Sequence, residues 1–223
     1  MKKMMFDDGY QEYLVEGAEF EGELGIPKLA NIQNAEIPRG LVSFNKAKYV
    51  ANKRQYVHFY IHDIGFRKIF TATKGQLDLL KQFDGVISPD PTIVIGKSKC
   101  LHATSTYLNR AVAYFLQRNG IPVIPNIRWG DESSYDFCFL GIPKHSIVAI
   151  STTGAIKKDK KTNNALRTYF KNGLAEMIKR IKPKVVIVHG FMPDDIFDEF
   201  KDKTKFVHFA SETEEVHRKK GVK

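Results

Sequence analysis

The stretch Ile121-Pro122-Val123-Ile124-Pro125-Asn126-Ile127-Arg128-Trp129-Gly130-Asp131 decides the fold of this chain. An apolar run rich in β-branched residues stops abruptly at a polar cluster. Three later runs behave the same way. Run 146–150 stops at Ser151-Thr152-Thr153-Gly154, run 184–188 at His189-Gly190, and run 205–209 at Ser211-Glu212. Runs of this length, separated by helix-like stretches, read as buried parallel strands. In parallel α/β proteins ligands gather at the carboxyl ends of the strands, so the polar stops locate a candidate site.

Working outward, the pattern predicts strands over 40–44, 56–62, 85–88, 122–127, 147–151, 185–189 and 206–210. It predicts helices over 75–83, 104–119, 163–181 and 194–201. The second helix ends at Asn119-Gly120-Ile121-Pro122, where Gly suits a left-handed residue and Pro prevents continuation. In the third, Leu166, Phe170, Leu174, Met177 and Ile181 form an apolar stripe at helical spacing, with Arg167, Lys171 and Glu176 off it. That stripe reads as core packing, and the sequence alone does not make Tyr169-Phe170 a base-stacking platform. Seven strands with helical crossovers predict an α/β fold, a parallel (β/α) barrel-like form or partial barrel. Any eighth strand would lie in the lead segment. The alternative is an open, doubly wound, mostly parallel sheet.

A chain of 223 residues, 43% hydrophobic and 27% charged, suits one α/β domain with a full core. The expected organisation is an acidic lead segment over 1–36, a single domain over 37–212 and a charged tail over 213–223. No apolar stretch approaches the roughly 20 residues needed to cross a bilayer. The opening residues turn acidic too soon for a secretory signal. Cys100 and Cys138 form neither a CxxC pair nor a zinc spacing and read as reduced thiols in a cytoplasmic protein.

The formal charge of +10 is uneven. Residues 1–24 carry two Lys against seven acids, a net of −5, whereas 157–184 carries ten Lys or Arg against two acids, a net of +8. The basic stretch is either a polyanion-attracting surface or a solvated face that keeps the protein dispersed. No RGG tract, zinc finger or RNP-like aromatic motif supports nucleic-acid contact.

Strand alternation puts Ile124, Asn126 and Arg128 on one face, and His58, Tyr60 and His62 on another. If the faces converge, a mouth collects His62, Asp63, Asp90, Asn126, Arg128, Asp131, Ser151, Thr152 and His189. Buried polar groups are costly unless paired, so the cluster is either an internal network or a ligand site. His62, Asp63, Asp90 and His189 could supply metal ligands, but no HExxH-like spacing backs them, and no cofactor is indicated. Arg128, ending an apolar strand, needs an anionic partner: Asp131, Asp136 or a substrate. Ser151-Thr152-Thr153-Gly154 is a weak phosphate cradle followed by Lys157, Lys158, Lys160 and Lys161, without the order of a Walker loop. Ser151 lacks the G-x-S-x-G setting of a nucleophile.

The order Ser88-Pro89-Asp90, Asn109-Arg110, Gln117-Arg118-Asn119-Gly120, Val123-Ile124-Pro125-Asn126-Ile127-Arg128-Trp129 forms a spine. It continues through Phe139-Leu140-Gly141-Ile142-Pro143, Val148-Ala149-Ile150-Ser151-Thr152-Thr153-Gly154, Gly173-Leu174, Lys182-Pro183 and His189-Gly190. Over 37–212 this order resembles an uncharacterised family from phages and mobile elements, classed as a domain of unknown function. The resemblance implies a cytoplasmic, phage- or element-associated setting. It implies no reaction, cofactor or active residue. The family motif often ends in Tyr-Gly, where this chain has His189-Gly190.

Three functions fit these readings. The first is binding of a phosphate-bearing ligand (a nucleotide, a nucleotide-derived signal or nucleic acid) through Asn126, Arg128, Ser151, Thr152, Lys157 and Lys158. The second is a phosphoesterase or nuclease with Asp90, Asp131 or His189 as base or metal ligand and Arg128 stabilising charge. The third is a host-takeover adaptor that contacts a host protein through the acidic lead segment. The oligomeric state is open.

Overall fold

Apolar runs rich in β-branched residues and ending on a polar one make Ile147–Ser151 (β7) and Val185–His189 (β8) five-residue strands. They pair in parallel register from Ile147 beside Val185 to Ser151 beside His189, and Lys205–Phe209 (β9) pairs along the other edge of β8. A second parallel sheet runs through Leu41–Ser43 (β3), Tyr56–His58 (β4), Gly85–Ile87 (β5) and Val123–Ile124 (β6), in that order. One parallel bridge joins the sheets: Ala149 N–H donates to Pro125 O at 2.8 Å, and Ile127 N–H donates to Ala149 O at 2.9 Å. Each of these seven strands therefore neighbours its predecessor in sequence. This computed structural model describes residues 11–31, 36–156 and 164–212, with Glu214 and Val216.

The connections are helical. Lys99–Arg118 (α3) links β5 to β6, and Asn164–Ile181 (α4) links β7 to β8. Shorter helices Lys68–Thr71 (α1), Leu77–Leu80 (α2) and Asp194–Phe197 (α5) occupy other crossovers. The larger core lies between strands and helices: Val57, Val86, Val123, Val148 and Val186 pack with Val112 and Leu116 of α3 and Leu174 and Met177 of α4. The opposite strand faces build a second, smaller core from Tyr56, Tyr60, Ile87, Ile124, Ala149 and Ile187, flanked by Leu41, Ile147 and Phe209. All seven parallel strands contribute to it. Strands buried on both faces are what the continuous apolar runs require.

The lead segment holds an antiparallel pair of its own, Phe20–Glu21 (β1) with Ile26–Pro27 (β2), and adds no eighth parallel strand among the described residues. It is fastened to α3 and to the turn after it. Gln117 exchanges two hydrogen bonds of 3.0 Å with the backbone of Ala30, and Arg118 donates to Tyr13 O at 2.9 Å. Gly141, at φ +72°, lies against Pro27; a Cβ there would sit 2.2 Å from the Pro27 carbonyl oxygen.

Candidate functional site

The tips of β4 to β7 meet at a cleft of about 540 Å³. Tyr60, His62, Asp63, Asp90, Arg128, Ser151 and Thr153 give it polar lining. Apolar walls come from the 93–95 segment and from Leu166, Tyr169 and Phe170 of α4. Trp129 and Gly130 tie the walls together. The indole lies on α4 with its ring 5.1 Å from that of Phe170, and Gly130 abuts Ile93. The indole fits because residue 173 is glycine: a Cβ there would sit 2.1 Å from the ring.

Arg128 turns inward, with its side chain 20% exposed. Its partner is neither Asp131 nor Asp136 but Asp90. Arg128 Nε donates to Asp90 Oδ1 at 2.6 Å, and Nη2 donates to Asp90 Oδ2 in a two-pronged pair. Burial works against the charge of Arg128, but the Asp90 carboxylate outweighs it and raises the guanidinium pKa. Asp131 instead caps the turn Glu132–Ser134 by accepting from Ser133 N–H at 3.1 Å, and Asp136 pairs with Lys99 at 2.7 Å. Neither lines the cleft.

Asn126 is buried beneath the pair. Its Nδ2 donates to Asp90 Oδ1 at 2.8 Å, and its Oδ1 accepts from Tyr60 Oη at 3.0 Å. Asp90 thus accepts three hydrogen bonds from side chains, and Asn126 supports the site from below. Deeper still, the fully buried Arg110 of α3 donates to the carbonyls of Asn126 (3.1 Å), Cys138 (2.8 Å) and Leu140 (3.0 Å). Among the described residues no carboxylate hydrogen-bonds to it, and burial pushes its pKa down to about 10. Arg110 stood in the motif order without an assigned role; an Arg in the middle of an apolar helix face is the signal for such a clamp.

Beside this network three rings stack: His58 on His189 at 4.6 Å, Tyr60 on His189 at 4.7 Å and His58 on Tyr60 at 5.4 Å. Tyr60 N–H donates to His58 Nδ1 at 3.2 Å, so that nitrogen carries the lone pair. Burial lowers His58 to about 3 and His189 to about 4. Ser151 Oγ and Thr153 Oγ1 each lie 3.5 Å from His189 Nδ1. Thr152 is buried, with its N–H donating to His189 O at 3.0 Å, and Thr153 takes the place in the cleft expected for it. Gly190, at φ +93°, lets these hydroxyls close in; a Cβ would sit 2.8 Å from Thr152 Oγ1.

The structure therefore brings His62, Asp63, Asp90, Arg128 and Ser151 to one cleft, with Asn126, Thr152 and His189 behind its lining and Asp131 elsewhere. Lys157 and Lys158 lie outside the described residues. Tyr60, Thr92 and Thr153 are the additional polar lining residues; Thr92 Oγ1 donates to Asp63 Oδ1 at 2.7 Å, and strand alternation already placed Tyr60 on the face of His58. Among the described residues no group of three or more His, Cys, Asp or Glu gathers as a metal site. Within the described part of the basic stretch, Arg167 pairs with Asp195 (2.6 Å), Lys171 with Glu199 (2.6 Å) and Arg180 with Glu176 (2.6 Å). Among the described residues no helix is long and apolar enough to cross a membrane.

The chain is similar to the Gene 1 protein of Mycobacterium phage L5, with 31% identity over 157 residues covering 69% of this chain and 66% of that protein. It is also similar to the Gene 1 protein of Mycobacterium phage D29, at 27% identity over 157 residues, 69% of this chain and 56% of that protein. The chain spans less than two thirds of the length of each relative. No solved structure matches it. The family described as a domain of unknown function, DUF4417, matches residues 18–210, and the chain belongs to that family.

Proposed function

We propose that the cleft binds a small phosphate-bearing ligand, of the nucleotide class, in a phage-associated cytoplasmic protein. The observation that carries this reading is the Arg128–Asp90 pair. Asp90 occupies Nε and Nη2 and fixes the plane of the guanidinium, while among the described residues Nη1 has no hydrogen-bond acceptor at the cleft. A guanidinium fixed in this way loses little rotamer freedom on meeting an anion. The hydroxyls of Ser151 and Thr153 line the same cleft; that of Ser151 donates to His189 O at 3.2 Å and turns from it to meet an anion. Free thiols at Cys100 and Cys138 suit a reducing compartment.

The finer architecture belongs to the same reading: the seven parallel strands form a partial barrel around the smaller core, open between β3 and β9. Its support is the sequential strand order, the contribution of every strand to that core, and the His58–His189 ring contact between β4 and β8. The cleft then sits at the carboxyl mouth, where parallel barrels bind ligands.

Binding is favoured over hydrolysis on three counts. Asp90 is engaged by Arg128 and Asn126, Asp131 caps a turn, and a His189 pKa of about 4 makes a weak base at neutral pH. The adaptor reading is weakened over 11–31, where Glu19 pairs with Lys28, Glu16 with Arg118, and Glu21 accepts from Gly141 N–H, while Glu12 and Glu23 remain.

The test is calorimetric titration with nucleoside phosphates at 50 and 200 mM salt, on wild type and on the Asp90→Asn/Arg128→Gln double variant, which removes both charges together. Binding that weakens with salt and falls at least about tenfold in the variant supports the reading. Binding indifferent to both changes overturns it.

A further inference from the structure

The cleft is larger and more apolar than a phosphate requires. A phosphate ion displaces the volume of two or three waters at about 30 Å³ each, a small part of the 540 Å³ present. The remaining lining is uneven in chemistry. Polar side chains come from the strand tips, whereas the 93–95 segment and the first turns of α4 present hydrocarbon and an aromatic ring.

Three of these wall residues are exposed although they line a concavity: Val94 at 48%, Leu166 at 38% and Tyr169 at 36%. Phe170 beside them is buried, wedged against Trp129 and Phe197, so it sets the wall without moving. Leu166 begins the α4 stripe whose later members Phe170, Leu174, Met177 and Ile181 are all buried. The stripe continues past the core and into the cleft, so the helix face that packs the interior also supplies the wall of the site. Exposed apolar groups in a cleft with a few placed polar groups are the usual make-up of a site for an amphipathic small molecule.

We propose that the ligand is a nucleoside 5′-phosphate bound in one orientation. Its phosphate meets Arg128 and the Ser151 and Thr153 hydroxyls at the strand tips, and its base lies against the α4 wall on Tyr169. This rests on the cleft being the phosphate site, and adds that a planar aromatic body sets affinity. The apolar walls offer area and a π-face rather than an array of donors and acceptors, so the chemistry selects for a base over a bare sugar phosphate and discriminates weakly among bases. Tyr169 is an affinity determinant on the exposed side of α4, removed from the core, so truncating it leaves the fold in place.

The experiment compares the four ribonucleoside 5′-monophosphates, ribose 5-phosphate and adenosine by calorimetric titration against wild type, Tyr169→Ala and the Asp90→Asn/Arg128→Gln double variant. At least one nucleotide should bind wild type about tenfold or more tightly than ribose 5-phosphate. Tyr169→Ala should erase that advantage and leave ribose 5-phosphate unchanged. Equal affinity for nucleotide and ribose 5-phosphate, or a nucleotide affinity unmoved by Tyr169→Ala, overturns the base-wall assignment and leaves the phosphate site standing. Adenosine binding as tightly as its monophosphate, with no effect of the double variant, overturns the phosphate site and keeps the wall. Binding of none of these probes overturns both.

Discussion

Acidification from pH 7 to pH 5 should remove a large part of the folding stability through two stacked rings. Burial, with His189 and Lys46 beside it, holds His58 down to about 3, and burial holds His189 to about 4 against the upward pull of Glu214, Asp90 and Glu212; the ordinary value is near 6.5. Both rings therefore stay neutral in the folded protein across this window, while the unfolded chain takes up a proton at each below pH 6.5. Stability is complete above the unfolded value, falls as pH drops through 6.5, and levels off only near the folded values. Each ring costs about 1.4 kcal/mol per pH unit once the unfolded form is charged, so the step from pH 7 to 5 costs about 2 kcal/mol per ring and about 4 kcal/mol for the pair. A protein of ordinary stability has 5–15 kcal/mol in all. Carboxylates of ordinary pKa stay ionised in this range and add little. With a denaturant slope of about 2–3 kcal/mol per molar urea, the urea midpoint should fall by about 1.5 M. The assay is urea unfolding at pH 7, 6 and 5 for wild type and His58→Phe. The variant loses the Tyr60 N–H acceptor and is weaker at every pH, but its loss between pH 7 and 5 should halve to about 2 kcal/mol. Equal losses in the two proteins, or an imidazole resonance of His58 or His189 that titrates above pH 5 by NMR, would refute the reasoning.

Asp90→Asn alone should cost about 3–5 kcal/mol, because it leaves Arg128 charged and largely enclosed without a counter-charge, whereas the neutral Asp90→Asn/Arg128→Gln pair should cost clearly less; urea melts of wild type, the two single variants and the double measure the coupling. Gly173→Ala forces Trp129 off α4 and should cost about 1–3 kcal/mol, with a shift in emission of this single tryptophan. Arg110→Met keeps the bulk but takes the guanidinium donors from the Cys138 and Leu140 carbonyls and leaves Asn126 O to Asn109 Nδ2 alone, at about 1–3 kcal/mol per orphaned group before relaxation, and should lower the urea midpoint more than Arg110→Lys does.

The strands were legible where a run was long, apolar and uninterrupted. Ile147–Ser151 and Val185–His189 lie where the pattern put them, because burial on both faces keeps the runs apolar until the polar residue that closes each one. β4 is shorter than expected: beyond His58 the chain turns, with Ile61 N–H donating to Phe59 O at 2.8 Å, because the Tyr60 amide is taken by a histidine ring instead of a strand neighbour. The start of α3 at Lys99, five residues before the predicted 104, was hidden because Ser98 makes no side-chain cap. The strands of the lead segment are two residues each and held by α3, so their own sequence carries almost no periodic signal.

The site was legible in its place and less so in its pairings, and the reason is topological. Charge density along the chain suggested a basic surface over 157–184, yet Arg167 and Lys171 are answered by Asp195 and Glu199 from the following crossover. Arg128 looked for a partner within eight residues and found one 38 residues back. Neighbouring parallel strands bring the residues just past their ends together, and β5 and β6 are neighbours, so Asp90, three past the end of β5, meets Arg128, four past the end of β6. The same rule places Ser151 beside His189 on the last rung of β7 and β8. In a parallel sheet, the counter-charge for a residue at a strand tip is better sought at the tip of the adjacent strand than along the same loop. Here that choice decides the geometry of the cleft: pairing with Asp90 holds Arg128 fixed in its lining, whereas pairing with Asp131 would have drawn it away.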